Sequence, residues 1–200
     1  MKTRRDRLIQ LFRENKNVLR FSQALDAGFL RKHLKALLDA GKIERIGRGF
    51  YKLTGSPDLS NPDFVTVALQ APKGVICLIS ALSYYNATDE VPHSVYVAIP
   101  RGLRARKINY PPVQYFHYAP KVWKNGIETR SIDGHSVRIY SLAKTVADCF
   151  KYRNKIGLDV AREALKIAVT EKKVRPTEIM RFAKICRIDN VIKPYVEALI

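Results

Sequence analysis

Residues 21–53 read FSQALDAGFLRKHLKALLDAGKIERIGRGFYKL, and the order of features within this stretch decides the fold of the N-terminal part of the chain. A short helix is predicted over Ser22–Ala27, and Gly28 behind it supplies the positive φ of a tight helix-to-helix turn. A second helix follows from Leu30 to Ala40, closed by Gly41. On this helix Leu30, Leu34, Leu37 and Leu38 fall on one side at helical spacing, while Arg31, Lys32 and Lys35 project from the other. Ile43–Ile46 and Phe50–Leu53 then have strand character. Gly47, Arg48 and Gly49 join them, so an arginine occupies the tip of a glycine-flexed hairpin that also carries Arg45. The pattern predicts a winged helix-turn-helix, in which one helix can enter a major groove with a basic wing beside it. Arg31, Lys32, Lys35, Arg45 and Arg48 are the candidate DNA-binding residues. A lone amphipathic helix with a cationic face is commonly just solvated. Here the turn glycine, helix, closing glycine and basic hairpin come in series, which favours DNA.

Working outward, Thr3 can cap a preceding helix with Asp6 in its first turn, and Leu8, Ile9, Leu11 and Phe12 form its apolar stripe, ending before Asn15. Residues 1–52 hold 14 Lys or Arg against 5 Asp or Glu, a balance of +9 that is half of the net charge of +18. A sequence pI near 10.0 favours a polyanionic partner, nucleic acid or an anionic membrane surface, and the charge asymmetry points to residues 1–53 as the phosphate binder. The apolar run Leu8–Phe12 is too short for a signal peptide and no run is long enough to span a bilayer, so a cytoplasmic location without membrane association is expected. Cys77, Cys149 and Cys186 are odd in number and set among apolar neighbours, as buried reduced thiols would be.

The polar, turn-rich TGSPDLSNP at 54–62 predicts a linker over residues 54–61, with residues 62–200 forming a second unit. Pro62 can open a helix through Gln70 with Asn61 as its cap. Val75–Ile79 suits either a buried strand or the lead into a helix at Ser80–Tyr85. Strands are expected at Val95–Ile99 and Val113–Tyr118, and Asp133-Gly134 marks a hairpin between Glu128–Ile132 and Ser136–Tyr140. Ser141 caps a helix through Tyr152, and further helices lie near Leu158–Thr170, Pro176–Arg187 and Val191–Leu199. Mixed strands followed by consecutive helices predict an α+β fold, here a winged helix-turn-helix plus a mixed α+β unit.

No catalytic constellation stands out. Asp89 and Glu90 are adjacent and so project apart, and Ser80, Ser83, His93 and His117 lack a nucleophile elbow. There is no phosphate-binding or dinucleotide-binding glycine pattern and no metal-ligand spacing, so no cofactor is expected. A nucleic-acid-processing enzyme with a winged-helix targeting unit, or a ligand-sensing transcription factor, are the alternatives. Arg101, Arg104, Arg106 and Lys107 cluster between two strands without a nearby acid, as a possible second basic surface, and Tyr110, Tyr115, Tyr118 and Trp123 are aromatic candidates for stacking or for the core.

RIGRGFYKL (Arg45–Leu53), the Ser80–Tyr85 helix, VYVAIPRG (Val95–Gly102) and VRIYSLAKTVADCFKYR (Val137–Arg153) together resemble the AbiEi antitoxins of abortive-infection systems, over nearly the whole chain. The resemblance implies a bacterial type IV toxin-antitoxin system. The winged helix would repress its own operon by binding double-stranded operator DNA, and the C-terminal unit would counter a nucleotidyltransferase-like toxin without a stable complex and without catalytic residues. The chain departs from its relatives at Phe29-Leu30, where a Ser or Thr cap is common.

Overall fold

Helical and strand periodicities alternate along the chain, and a computed structural model, describing residues 3–57 and 59–199, converts them into helices packed on two separate sheets. Helix α1 (Arg4–Glu14) opens with a reciprocal cap: the Thr3 hydroxyl accepts from the Asp6 N–H at 3.1 Å, and the Asp6 carboxylate accepts from the Thr3 N–H at 3.0 Å. Its Leu8 and Phe12 are buried, with Ile9 and Leu11 packed beside them. Strand β1 (Val18–Arg20) runs directly into α2 (Phe21–Asp26), Gly28 turns at φ +82°, and α3 (Arg31–Asp39) follows. Strands β2 (Ile43–Gly47) and β3 (Phe50–Leu53) form the expected hairpin, and β1 pairs with the other side of β3, giving the order β1-β3-β2.

Leu8, Phe12, Leu19, Ala24, Phe29, Leu34, Leu37 and Ile43 make the core of this segment. Leu30 is not part of it. It is the cap residue of α3, with extended backbone (φ −93°, ψ 163°), which takes its side chain off the helical face and leaves it 51% exposed. With no hydroxyl at that position, the Leu30 N–H is instead satisfied by Nδ1 of His33 at 2.9 Å.

Of the expected linker 54–61, Asp58 lies outside the described residues. Helix α4 (Pro62–Gln70) begins at the proline, with Asn61 in the cap position but making no side-chain capping bond. The ambiguous run divides into a two-residue strand β4 (Val75–Ile76) and helix α5 (Leu78–Tyr84). Then come β5 (Val95–Pro100), β6 (Val113–Tyr118), the short α6 (Pro120–Lys124), β7 (Ile127–Ile132) and β8 (His135–Tyr140). Asp133 (φ +50°) and Gly134 (φ +79°) make the tight turn between the last two. Helices α7 (Leu142–Lys151), α8 (Arg153–Ile156), α9 (Leu158–Thr170), α10 (Pro176–Cys186) and α11 (Asp189–Glu197) complete the chain.

The second sheet has the order β6-β5-β4-β8-β7. It is parallel between β5 and β6 and between β4 and β8, and antiparallel elsewhere, so the α+β class stands. Both faces are covered: Val95, Val97, Ile99, Val137 and Ile139 meet Phe64, Val65 and Val67 of α4, while Ala98, Phe116, Tyr118 and Tyr140 meet α5, α7 and the later helices. Ser141 caps α7 by accepting from the Lys144 N–H. One turn into α7, Lys144 and Asp148 form an ion pair at 2.5 Å with both side chains 0% exposed, and the Lys144 ammonium sits over the Tyr140 ring at 4.3 Å. Burial raises the Asp148 carboxyl above its usual range, against the opposing pull of Lys144. All three cysteines are buried free thiols, and burial raises each; Cys186 reaches about 12, which keeps it protonated and unreactive.

Candidate nucleic-acid interface

Helix α3 turns Leu34 and Leu37 into the core, which leaves Arg31, Lys32 and Lys35 exposed on its far side. The three are not equivalent. The Arg31 guanidinium lies over the Phe21 ring at 5.5 Å, while Lys32 and Lys35 reach into solvent. Phe21 also ties α2 to the hairpin, because its N–H donates to the Gly49 carbonyl at 2.7 Å. Phe21 therefore links the helix pair to the hairpin, in addition to the core that Leu34 and Leu37 share with Ile43.

The hairpin turn is Arg48-Gly49, with Gly49 at φ +77° and a bulge between Arg45 and Gly47. Arg48 stands exposed at the tip. Nε of Arg45 donates to the Gly47 carbonyl at 3.2 Å, which lays that side chain along its own strand. Lys52 is buried against Glu44, its register partner, at 3.6 Å. Arg20, which sequence patterning missed, is exposed at the end of β1 with its guanidinium 5.7 Å from the Phe50 ring. A strand of three residues displays no alternation, so nothing local marked Arg20 as a neighbour of the hairpin.

Gly47 has a use the hairpin pattern did not suggest. A Cβ there would lie 2.8 Å from Nε2 of Gln70 and 3.7 Å from Thr66, so the missing side chain permits close approach to α4 rather than to a ligand. The Lys16 side chain likewise lies 3.1 Å from where a Gly134 Cβ would be, and Asp133 accepts from the N–H and hydroxyl of Ser60.

The four cations of the 101–107 loop are divided by the structure. Nη1 of Arg106 donates to the Gln70 carbonyl at 2.9 Å, filling one of the orphan acceptors at the end of α4, and the Tyr115 hydroxyl donates to the Arg106 carbonyl at 2.7 Å. Arg104 and Arg106 share a cavity with Lys73 and Tyr115. Arg101 lines a different cavity, together with Lys121, Lys151 and Arg187, and Lys107 is exposed and lines neither. Of the aromatic candidates Tyr118 is buried, Tyr115 and Trp123 are half-buried, and Tyr110 is 64% exposed.

Ser80, Ser83 and His93 do share a cavity with Asp63, whose carboxyl is raised by burial, whereas His117 lies elsewhere. The Ser80 hydroxyl, however, accepts from the Tyr96 N–H at 2.9 Å and donates to the Ser94 carbonyl, a structural role against β5. Among the described residues no hydrogen bond links Ser83, His93 and Asp63, no group of three or more His, Cys, Asp or Glu gathers as a metal site, and no helix is long and apolar enough to cross a membrane.

Residues 6–54, spanning nearly all of α1 to β3, match the family model described as "Transcriptional regulator, AbiEi antitoxin". That N-terminal segment is thus similar to AbiEi antitoxin regulators over about a quarter of the chain. Over nearly the whole chain the fold is similar to the crystal structure of the RV2827C protein from Mycobacterium tuberculosis, with a TM-score of 0.56 at 13% identity, covering 96% of this chain and 79% of that one. Comparison with curated proteins gives no match.

Proposed function

We propose that the protein is a DNA-binding antitoxin that represses its own operon in a bacterial type IV toxin-antitoxin, or abortive-infection, system. The observation that carries this reading is the coincidence of the AbiEi match at residues 6–54 with a compact helix-helix-hairpin unit whose exposed side bears Arg31, Lys32, Lys35 and Arg48. In this reading α3 enters the major groove of double-stranded operator DNA as the recognition helix, and the hairpin is a wing whose Arg48 meets the backbone or minor groove, with Arg20 beside it. Footprinting on the DNA upstream of its own gene tests this. A protected site lost in the Arg31→Ala, Lys32→Ala, Lys35→Ala triple variant is expected; unchanged protection by a folded triple variant would overturn the assignment.

Residues 62–200 are assigned the antitoxic role, countering a nucleotidyltransferase-like toxin in the cytoplasm without a stable complex. The two units are residues 1–53 and 62–200, joined by 54–61. What supports the division is that the first core draws only on residues up to Leu53 and the other two on residues from Leu59 onward. A folded fragment beginning near Asn61 should protect cells in a co-expression growth assay yet leave the operator unbound. Its failure to protect refutes this division of labour.

A further inference from the structure

Beyond the DNA-facing unit, we propose that the cavity at the carboxyl ends of β5 and β6 is a binding site for the phosphate groups of a nucleotide. Its volume is about 340 Å³, within the range of small-molecule sites. β5 and β6 are parallel, so both strands deliver their carboxyl ends to the same place, the usual position of ligand sites in sheets of this kind. Arg101 follows β5 and is anchored there by its N–H, which donates to the Tyr118 carbonyl at 2.8 Å. Lys121 comes from α6, Lys151 from the last turn of α7 and Arg187 from the end of α10. Four permanent cations thus converge from four parts of the chain, with His117 among them and no carboxylate in the lining.

Helix ends account for some of this charge, since Lys151 and Arg187 each sit at a helix carboxyl terminus, where a cation is favoured. Lys121 falls in the last turn of the five-residue α6 as well, and Arg101, which follows a strand, is left without a helix end to explain it. All four side chains are exposed, and none is in an ion pair among the described residues. Arg187 also adopts φ +57°, a left-handed helix-terminating position at which glycine is the ordinary residue. Tyr152 adds a half-buried aromatic surface, its ring braced by Phe116 and Tyr118 at 5.2 and 5.3 Å. Clustered cations beside an aromatic ring suit a charged phosphate chain carrying a base. That chemistry is shared by a free nucleoside triphosphate and by the phosphorylated end of a single-stranded RNA.

Isothermal titration of the full-length protein with ATP, with GTP and with a short 5′-triphosphorylated single-stranded RNA separates the two sources. Saturable binding that weakens as salt is raised is expected for at least one probe. The Arg101→Ala, Lys121→Ala variant should lose about tenfold or more in affinity, whereas Lys166→Ala, Lys172→Ala, which removes two exposed lysines outside the cavity, should bind as the wild type does. Arg187→Gly gives a second reading independent of any folding defect, because glycine relieves the left-handed backbone while the cation is lost: thermal stability should hold or rise as affinity falls. Binding of the free nucleotides assigns the site to a soluble ligand, and binding of the RNA alone assigns it to an RNA end. Absence of binding by all three probes overturns the site, as does equal weakening in the Lys166, Lys172 control. Operator binding by the Arg101, Lys121 variant should be unchanged, so failure of this site is distinguishable from failure of the DNA-binding reading.

Discussion

On α3, Arg31, Lys32 and Lys35 share one rigid scaffold whose other side is leucine, whereas Arg101, Lys121, Lys151 and Arg187 are delivered by the ends of separate elements to the rim of a cavity. The first arrangement makes a convex cationic ridge whose spacing is fixed by the helix, suited to a groove. The second makes a concave one whose spacing depends on tertiary packing, suited to a compact anion. A net charge of +18 therefore favours an anionic partner, and only the placement of the charge distinguishes one kind of anion from another.

The sharpest way to break this contrast is to damage one region and ask whether the other notices. Lys144→Ala strands the Asp148 carboxylate in the core and should destabilise residues 62–200 by about 3–5 kcal/mol in denaturant titrations. Operator binding should persist at denaturant concentrations that have already unfolded those residues. If binding is lost in step with the core, the two regions form one cooperative unit.

Next in size is the ridge itself. In the Arg31, Lys32, Lys35 triple alanine variant, a base-reading member alone contributes about 1–3 kcal/mol of operator affinity, and each phosphate-contacting lysine should flatten the salt dependence by about one unit of slope. Lys32 and Lys35, free of the Phe21 ring, are expected to dominate the slope. Gel-shift titrations of the single variants at several salt concentrations give the ranking.

A smaller effect is expected in the hairpin. Arg48→Ala should weaken operator binding by roughly 1.5 kcal/mol, the size of one hydrogen bond to a charged group. Arg45→Ala should do less, because that side chain is committed to the Gly47 carbonyl. The reverse order in fluorescence anisotropy would mean that Arg45 leaves its strand to contact DNA.

The smallest effect is one of pH. His33 must be neutral at Nδ1 to accept the Leu30 N–H, and desolvation, aided by the charges of Arg4 and Lys32, lowers its pKa from the ordinary 6.5. A histidine whose folded pKa is depressed contributes stability that is present above 6.5 and lost as pH falls through the lowered value. Thermal melts across that window should slope downward on acidification in the wild type and be flatter in His33→Gln. Equal slopes would show that the cap does not depend on the proton.

How much of this was readable beforehand follows from the range of the interactions concerned. The leucine face of α3, the Arg48-Gly49 hairpin and the Asp133-Gly134 turn rest on neighbours within a few residues, and the sequence pattern located each of them. β1, β4 and α6 are too short for any periodicity to emerge. The false place was Leu30, whose spacing fitted the apolar face but whose cap position removed it. Gly47 looked like a hinge for the hairpin tip, and its close approach to Gln70 depends on an element that begins fifteen residues later in the chain. Nothing local tells that Tyr118, Tyr140 and Cys186 close over Lys144 and Asp148, so the helical pattern of 141–152 did not mark this buried pair.

The two-residue strand β4 has a consequence for how the molecule is made. It sits at the centre of its sheet, bonded to β5 on one side and β8 on the other, and among the described residues it alone joins the β6-β5 pair to the β8-β7 hairpin. The hairpin closes over a two-residue turn, while β4 must bring together partners about 20 and 60 residues downstream, so loop-closure entropy places this seam late on the folding path. Gly74, immediately before it, lies where a Cβ would be 2.7 Å from Val97. A side chain at that one position would press on Val97 and on the Ala71 carbonyl at 3.0 Å, which puts the crowding at the very seam where the two halves of the sheet have to meet.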